Sequence, residues 1–168
     1  MSTNILDKQG RAIKTAFFTG HRDIDKETSE EISFVLDHLL RIMASSGVTR
    51  FLAGGALGFD TLAALAVLRL KSQFPCVTLE LIIPCKNQTK LWGKNDIAIY
   101  NDILSKADRV QYLHESYTSS CMHDRNRLLV DTGDIGVAFF EHSGGGTAYT
   151  VGYALKNGKE IINVAEML

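Results

Sequence analysis

Short apolar blocks alternate along the chain with longer stretches in which apolar residues recur every three or four positions, and this alternation predicts most of the elements. Residues 13–19 form an apolar run that predicts a first strand, ending in Thr19-Gly20-His21-Arg22. Thr28 and Glu31 have the spacing of a capping box. They open a helix whose apolar face is Ile32, Val35, Leu36, Leu39, Leu40 and Met43, with Gly47 as its C-terminal signal. Residues 50–53 predict a second strand running into Gly54-Gly55-Ala56-Leu57-Gly58-Phe59-Asp60. Residues 61–70 then predict a helix apolar almost all round, which must be covered on most sides. A third strand is expected over 77–83, stopped by Pro84, followed by a polar loop from 85 to 93 that carries the single tryptophan, Trp92.

Ile97, Tyr100, Ile103 and Leu104 mark another helix, and residues 109–113 a fourth strand. Ser119 or Ser120 can cap the next helix, which carries Met122, Arg125, Leu128 and Leu129 and ends near Gly133. Residues 135–140 read as a buried parallel strand, followed by Glu141, His142, Ser143, three glycines and Thr147. Ala148, Val151, Gly152 and Leu155 have helical spacing, Asn157-Gly158 is a stop, and residues 160–164 predict a sixth strand. Strictly alternating strands and helices predict an α/β protein with a mostly parallel sheet covered on both faces, hence three α/β/α layers. Ligands of such sheets bind beyond the carboxyl ends of the strands. Four stretches are therefore expected on one rim: residues 20–22, 54–60, 84–92 and 141–147.

Composition narrows the picture. A length of 168 residues with 45% hydrophobic and 22% charged residues predicts one globular domain, residues 1–168, in which 1–11 form a loosely ordered tail. A formal net charge of −1 and the lack of a lysine or arginine run argue against duplex DNA or a membrane surface as the main partner. Cys76, Cys85 and Cys121 contain no C-x-x-C pair, so a reducing cytoplasm is the expected setting. Cys121 and His123 lack a second pair of ligands, so no metal is expected, and the sequence calls for no cofactor.

The rim carries the chemistry. Gly144, Gly145 and Gly146 before a helix allow positive φ and close approach of an anion to main-chain N–H groups. Gly54, Gly55 and Gly58 form a second such turn. Neither turn matches the dinucleotide fingerprint or the P-loop. Asp60 is placed either to accept from ribose hydroxyls or to cap the helix that follows it. His21 and Arg22 follow the first strand, where a guanidinium can hold a phosphate or carboxylate bidentately. Glu141 and His142, at a strand's carboxyl end, are the candidates for acid–base work. No serine or cysteine lies in a nucleophile-elbow motif.

Thr19-Gly20-His21-Arg22, the stretch from Gly54 to Asp60 with residues 61–64, and Arg125-Asn126 together resemble the YpsA-like branch of the SLOG superfamily, over about residues 14–164. That superfamily also holds the LOG phosphoribohydrolases and the DprA DNA-binding proteins. The resemblance implies a Rossmann-like fold that binds a nucleotide or nucleotide-derived ligand through Gly20, His21, Arg22, Gly54, Gly55, Gly58, Asp60, Arg125, Asn126, Gly144, Gly145, Gly146 and Thr147. Met122-His123-Asp124-Arg125 is similar to the LOG motif M-H-x-R, which implies a catalytic place for Arg125. Residues 144–147 resemble the end of the LOG motif P-G-G-x-G-T-x-x-E. This chain has His142 at the proline position, Ser143 at the first glycine position and Thr150 at the glutamate position.

A nucleotide-binding protein, acting as a sensor, is therefore the leading expectation. The alternative is a LOG-like hydrolase of a base–ribose phosphate bond, with Glu141 replacing the missing glutamate. A DprA-like DNA-binding role is disfavoured by the charge. LOG-type relatives imply a homodimer.

Overall fold

A computed structural model describes residues 4–168. Six strands, β1 (Thr15–Gly20), β2 (Arg50–Ala53), β3 (Thr78–Cys85), β4 (Arg109–His114), β5 (Ile135–Phe139) and β6 (Glu160–Asn163), alternate with five helices. The helices are α1 (Lys26–Ser45), α2 (Phe59–Leu70), α3 (Lys94–Lys106), α4 (Cys121–Thr132) and α5 (Gly145–Lys156). The sheet has the order β4-β3-β2-β1-β5-β6, and every neighbouring pair is parallel. This is the expected Rossmann-like α/β fold.

The pleat sorts side chains between two cores with a period of two. Ala16, Phe18, Phe51, Ala53, Leu81 and Ile83 face α1, α2 and α3, whereas Phe17, Leu52 and Ile82 face Leu129 and Val130 of α4 and Ala154 of α5. Phe17, Phe18, Phe51, Phe59 and Phe139 are all fully buried, each stabilising the fold by about 1.5–3 kcal/mol relative to exposure. On α1 the expected face is confirmed at Ile32, Leu36, Leu39, Leu40 and Met43.

Three local expectations change. The cap of α1 is Asp25, not Thr28: its Oδ1 accepts the Thr28 N–H at 2.9 Å and its Oδ2 the Thr28 hydroxyl at 2.8 Å. The Asp25 carboxylate accepts from Thr28 itself, three residues on, and starts the helix earlier. Strand β3 does not stop at Pro84 but runs to Cys85. Its register on β4 passes from Ile83↔Tyr112 to Cys85↔His114 and skips the proline, which has no N–H for the ladder. The third change concerns the expected tail, of which residues 1–3 lie outside the described residues. The rest folds back on itself: the Ile13 N–H donates to the Ile5 carbonyl at 2.8 Å, and the Ile5 N–H donates to that of Ser46 at 3.2 Å.

The strand order sets the place of the site. From β1 the chain winds outward through β2, β3 and β4, then returns to lay β5 on the other side of β1. The loops after β1 and β5 leave towards opposite faces of the sheet, and the crevice between them is where an open α/β sheet receives its ligand.

Candidate functional site

A cleft of about 720 Å³ opens at this point. Its lining comes from the end of β1 through Arg22, from Ala56 and Asp60, from Met122, Arg125 and Asn126 on α4, from residues 142–147 ahead of α5, and from Tyr117. Of the four expected stretches, 20–22 lines the cleft in full, 54–60 through Ala56 and Asp60, and 141–147 from residue 142 onward. Residues 84–92 do not line the cleft; Gln88 instead donates to the Gly55 carbonyl at 3.1 Å, on the β3 side.

Arg125 is the centre of the floor and is 4% exposed. One terminal nitrogen donates to the Gly54 carbonyl, Nε donates to Asn126 Oδ1 at 2.6 Å, and the other terminal nitrogen lies 3.8 Å from Met122 Sδ. Asn126 therefore orients Arg125. Gly54 is needed for space. A Cβ there would lie 2.8 Å from both Arg125 Cζ and Asp60 Oδ2. Asp60 is 6% exposed and accepts the Ala56 N–H at 3.3 Å. Burial pushes its carboxyl pKa up, while the Arg125 charge works against that rise. Burial likewise lowers the Arg125 pKa and Asp60 opposes it; a guanidinium this basic stays charged. Asp60 sits in the first turn of α2 rather than ahead of it, and the N-cap is Gly58.

Gly58 holds φ 73° and ψ −122°, a conformation open to glycine, and its missing Cβ makes room for the Arg22 main chain, with Arg22 Cα 2.6 Å from where that Cβ would stand. Arg22 is exposed, and its side chain touches Met122 Sδ at 3.9 Å. Among the described residues no carboxylate forms an ion pair with Arg22. Its donors are thus not committed to a carboxylate.

His21 lines the cleft, but its ring already has a task. The Glu141 N–H donates to His21 Nε2 at 3.1 Å, which makes the ring neutral with its proton on Nδ1. Burial lowers the His21 pKa, the nearby His142 adds to that, and Glu141 opposes it. The His142 ring meets His21 edge-on at 4.2 Å. His21 thus ties the loop after β5 to the end of β1.

Gly144 and Gly145 have φ of 109° and 77°, and the space around both is open. Gly144 caps α5 without a side chain, leaving the first-turn N–H groups at Gly145, Gly146 and Thr147 without helical partners. Thr147 is buried and lines the cleft. Thr150 is fully buried, and its hydroxyl donates to the Gly146 carbonyl at 2.8 Å. Glu141 is exposed and lies outside the cleft lining. Gly55, at φ 68°, faces Ile83 and Gln88 rather than the cleft.

Met122 and Tyr117 line the cleft without having been given a ligand role from the sequence, where Met122 stood on its helix and in its motif. Tyr117 was legible as the one aromatic in the polar stretch 115–120. Among the described residues no group of three or more metal-ligating side chains occurs, and no helix is long and apolar enough to cross a membrane.

Comparison with known proteins agrees with this fold. The family model described as the YspA SLOG family matches residues 17–164. A UPF0398 protein of Staphylococcus saprophyticus is 30% identical over 113 residues, a match covering 62% of this chain and 60% of that protein. The match thus spans about six tenths of that relative's length. DNA processing protein A (DprA) of Streptococcus pneumoniae superposes with a TM-score of 0.65 at 16% identity, covering 89% of this chain and 49% of that one. The Helicobacter pylori protein, described with a single-stranded DNA binding mode, superposes with a TM-score of 0.63 at 18% identity, covering 88% of this chain and 63% of that one. At these identities the two structures show a shared fold.

Proposed function

The chain belongs to the YspA SLOG family, and from that premise we propose that it binds a nucleotide or a nucleotide-derived small molecule, in a sensing rather than a catalytic role. One observation carries the reading. Two guanidinium groups, Arg22 and Arg125, and the open N-terminus of α5 converge on one cleft whose only carboxylate, among the described residues, is Asp60. That carboxylate is already opposed by Arg125. The surplus of donors and positive charge fits an anion such as a phosphate. The volume of about 720 Å³ leaves room for the body of a small molecule behind it.

Calorimetric titration with AMP tests the reading. Arg22→Ala is expected to weaken AMP binding roughly tenfold to a hundredfold, the effect of losing one charge-assisted contact. Thermal unfolding should be unchanged, because the Arg22 side chain is exposed. AMP binding that ignores the substitution would remove Arg22 from the site. Tight binding of an oligonucleotide that AMP cannot displace would move the protein towards the DNA-binding behaviour described for the Helicobacter pylori relative.

The same geometry speaks against the hydrolase reading. Stabilising or attacking the sugar of a breaking N-glycosidic bond needs a placed carboxylate. Thr150 stands at the LOG glutamate position, buried, with its hydroxyl committed to Gly146. Glu141 lies outside the cleft lining. Long incubation with AMP, followed by chromatography, is therefore expected to show no free adenine. Adenine released with ordinary turnover, and lost in Glu141→Gln, would reverse this conclusion.

A further inference from the structure

We propose that Tyr117 is a stacking platform for an aromatic base, so that the cleft recognises an intact nucleotide rather than a phosphorylated sugar. The inference rests on the anion-binding reading above and adds the second half of the ligand. Its starting point is size. A cleft of about 720 Å³ lies within the range that encloses whole small molecules, roughly 300–1,000 Å³, and is far more than a phosphate needs.

The anion-binding groups enter this cleft from three places: the loop after β1, the second turn of α4 and the start of α5. Tyr117 enters from a fourth, the connection between β4 and α4. It is 64% exposed although it lines the cleft. Phe18, the other benzene-type ring of the lining, is fully buried. Among the described residues Tyr117 is thus the one exposed phenyl or phenol ring in the cleft lining.

The ring is carried on an anchored segment. The Tyr117 N–H donates to Asn87 Oδ1 at 3.0 Å, tying it to the loop after β3. The next residue, Thr118, accepts the Cys121 N–H at 3.3 Å, tying it to the start of α4, where Cys121 is fully buried. An exposed aromatic side chain on an anchored backbone at a cleft suits a flat π-system, and stacking of a base on such a ring commonly strengthens binding by a factor of about ten or more. Stacking does not read the edges of a base, so the site accepts different bases.

The experiment compares AMP with ribose 5-phosphate, which carries the same sugar phosphate without the base. Both are titrated calorimetrically into the wild type, Tyr117→Ala and Tyr117→Trp, with thermal unfolding recorded for each. AMP is expected to bind the wild type more tightly than ribose 5-phosphate. Tyr117→Ala should weaken AMP about tenfold or more, leave ribose 5-phosphate within about twofold and leave unfolding unchanged, while Tyr117→Trp restores AMP binding. Equal affinity of the wild type for both probes overturns the stacking role and leaves the anion site standing. So does an equal loss for both in Tyr117→Ala, or an AMP affinity that Tyr117→Ala does not change. If the wild type binds neither probe, the anion-binding reading falls and this inference falls with it. Should Tyr117→Ala unfold, Tyr117→Trp alone decides: an AMP affinity at or above that of the wild type supports stacking, and a selective loss of AMP overturns it.

Discussion

Arg125→Ala is expected to lower the unfolding free energy at neutral pH by about 3–5 kcal/mol, the usual result of deleting one member of a buried charge pair. AMP binding should disappear with it. The substitution strands three groups at once: the Gly54 carbonyl, Asn126 Oδ1 and the buried Asp60 carboxylate that Arg125 faces. Burial already holds the folded Asp60 pKa above its unfolded value of about 4, and losing the neighbouring positive charge moves it further up. The folded variant therefore binds that proton more tightly than the unfolded chain does. The stability it brings is complete below the unfolded pKa and is lost as pH rises through the folded one. The deficit of Arg125→Ala relative to wild type should thus shrink as pH is lowered from 7 towards 5, as read by denaturant unfolding at both values. Adding Asp60→Asn should recover part of the loss at pH 7. A deficit independent of pH and unrelieved by Asp60→Asn would mean that the two groups are not coupled.

Gly58→Ala should be nearly as damaging, by a different route. A side chain at φ 73° and ψ −122° is strained by about 1–3 kcal/mol, and the new methyl group would meet the Arg22 main chain rather than a movable side chain. Overpacking of this kind costs a further 1–3 kcal/mol or so, which gives a total of roughly 2–6 kcal/mol. Because the group displaced is Arg22 itself, loss of AMP binding should accompany the lower melting temperature. Gly146→Ala is the matched control. Gly146 has no positive φ, and a Cβ there would find its nearest neighbour, Asn126 Nδ2, at 3.9 Å. A melting temperature near wild type is expected for that control, measured by differential scanning calorimetry. Equal loss in both variants would show that general intolerance of the loops, not the packing of Gly58 on Arg22, is responsible.

Much of this was legible in the sequence because it follows from local pattern. Short apolar runs alternating with three-to-four-residue periods place every strand and helix, and the rule for open α/β sheets brings the stretches 20–22 and 141–147 towards one rim. What stayed hidden depends on pairing across the chain. Nothing local says that β5 returns beside β1, and that neighbourhood makes the crevice. Arg125 is equally plausible on a solvated helix face; its burial follows from Gly54 and Asp60, some seventy positions away. The resemblance names His21 as a ligand-binding residue, and nothing local says that its Nε2 accepts the Glu141 N–H. Thr28 has the spacing of a cap, and only the Asp25 carboxylate, which accepts the N–H and hydroxyl of Thr28 itself, decides otherwise.

His21, at the end of β1, and Glu141, just after β5, are 120 positions apart and meet only because β5 pairs with β1. As the chain leaves a ribosome, β1, β2, β3 and β4 can associate in order while β5 has yet to emerge. During that interval one edge of the central strand, apolar from Ala16 to Phe18, stands unpaired. Such an edge is the kind that recruits strands from other molecules. A ligand offers no protection then, since its receptor is not assembled until the last third of the protein has docked. The time between synthesis of β4 and docking of β5 is therefore the interval in which this protein is most exposed to misassembly, and it is governed by how quickly a partner more than a hundred residues distant is captured.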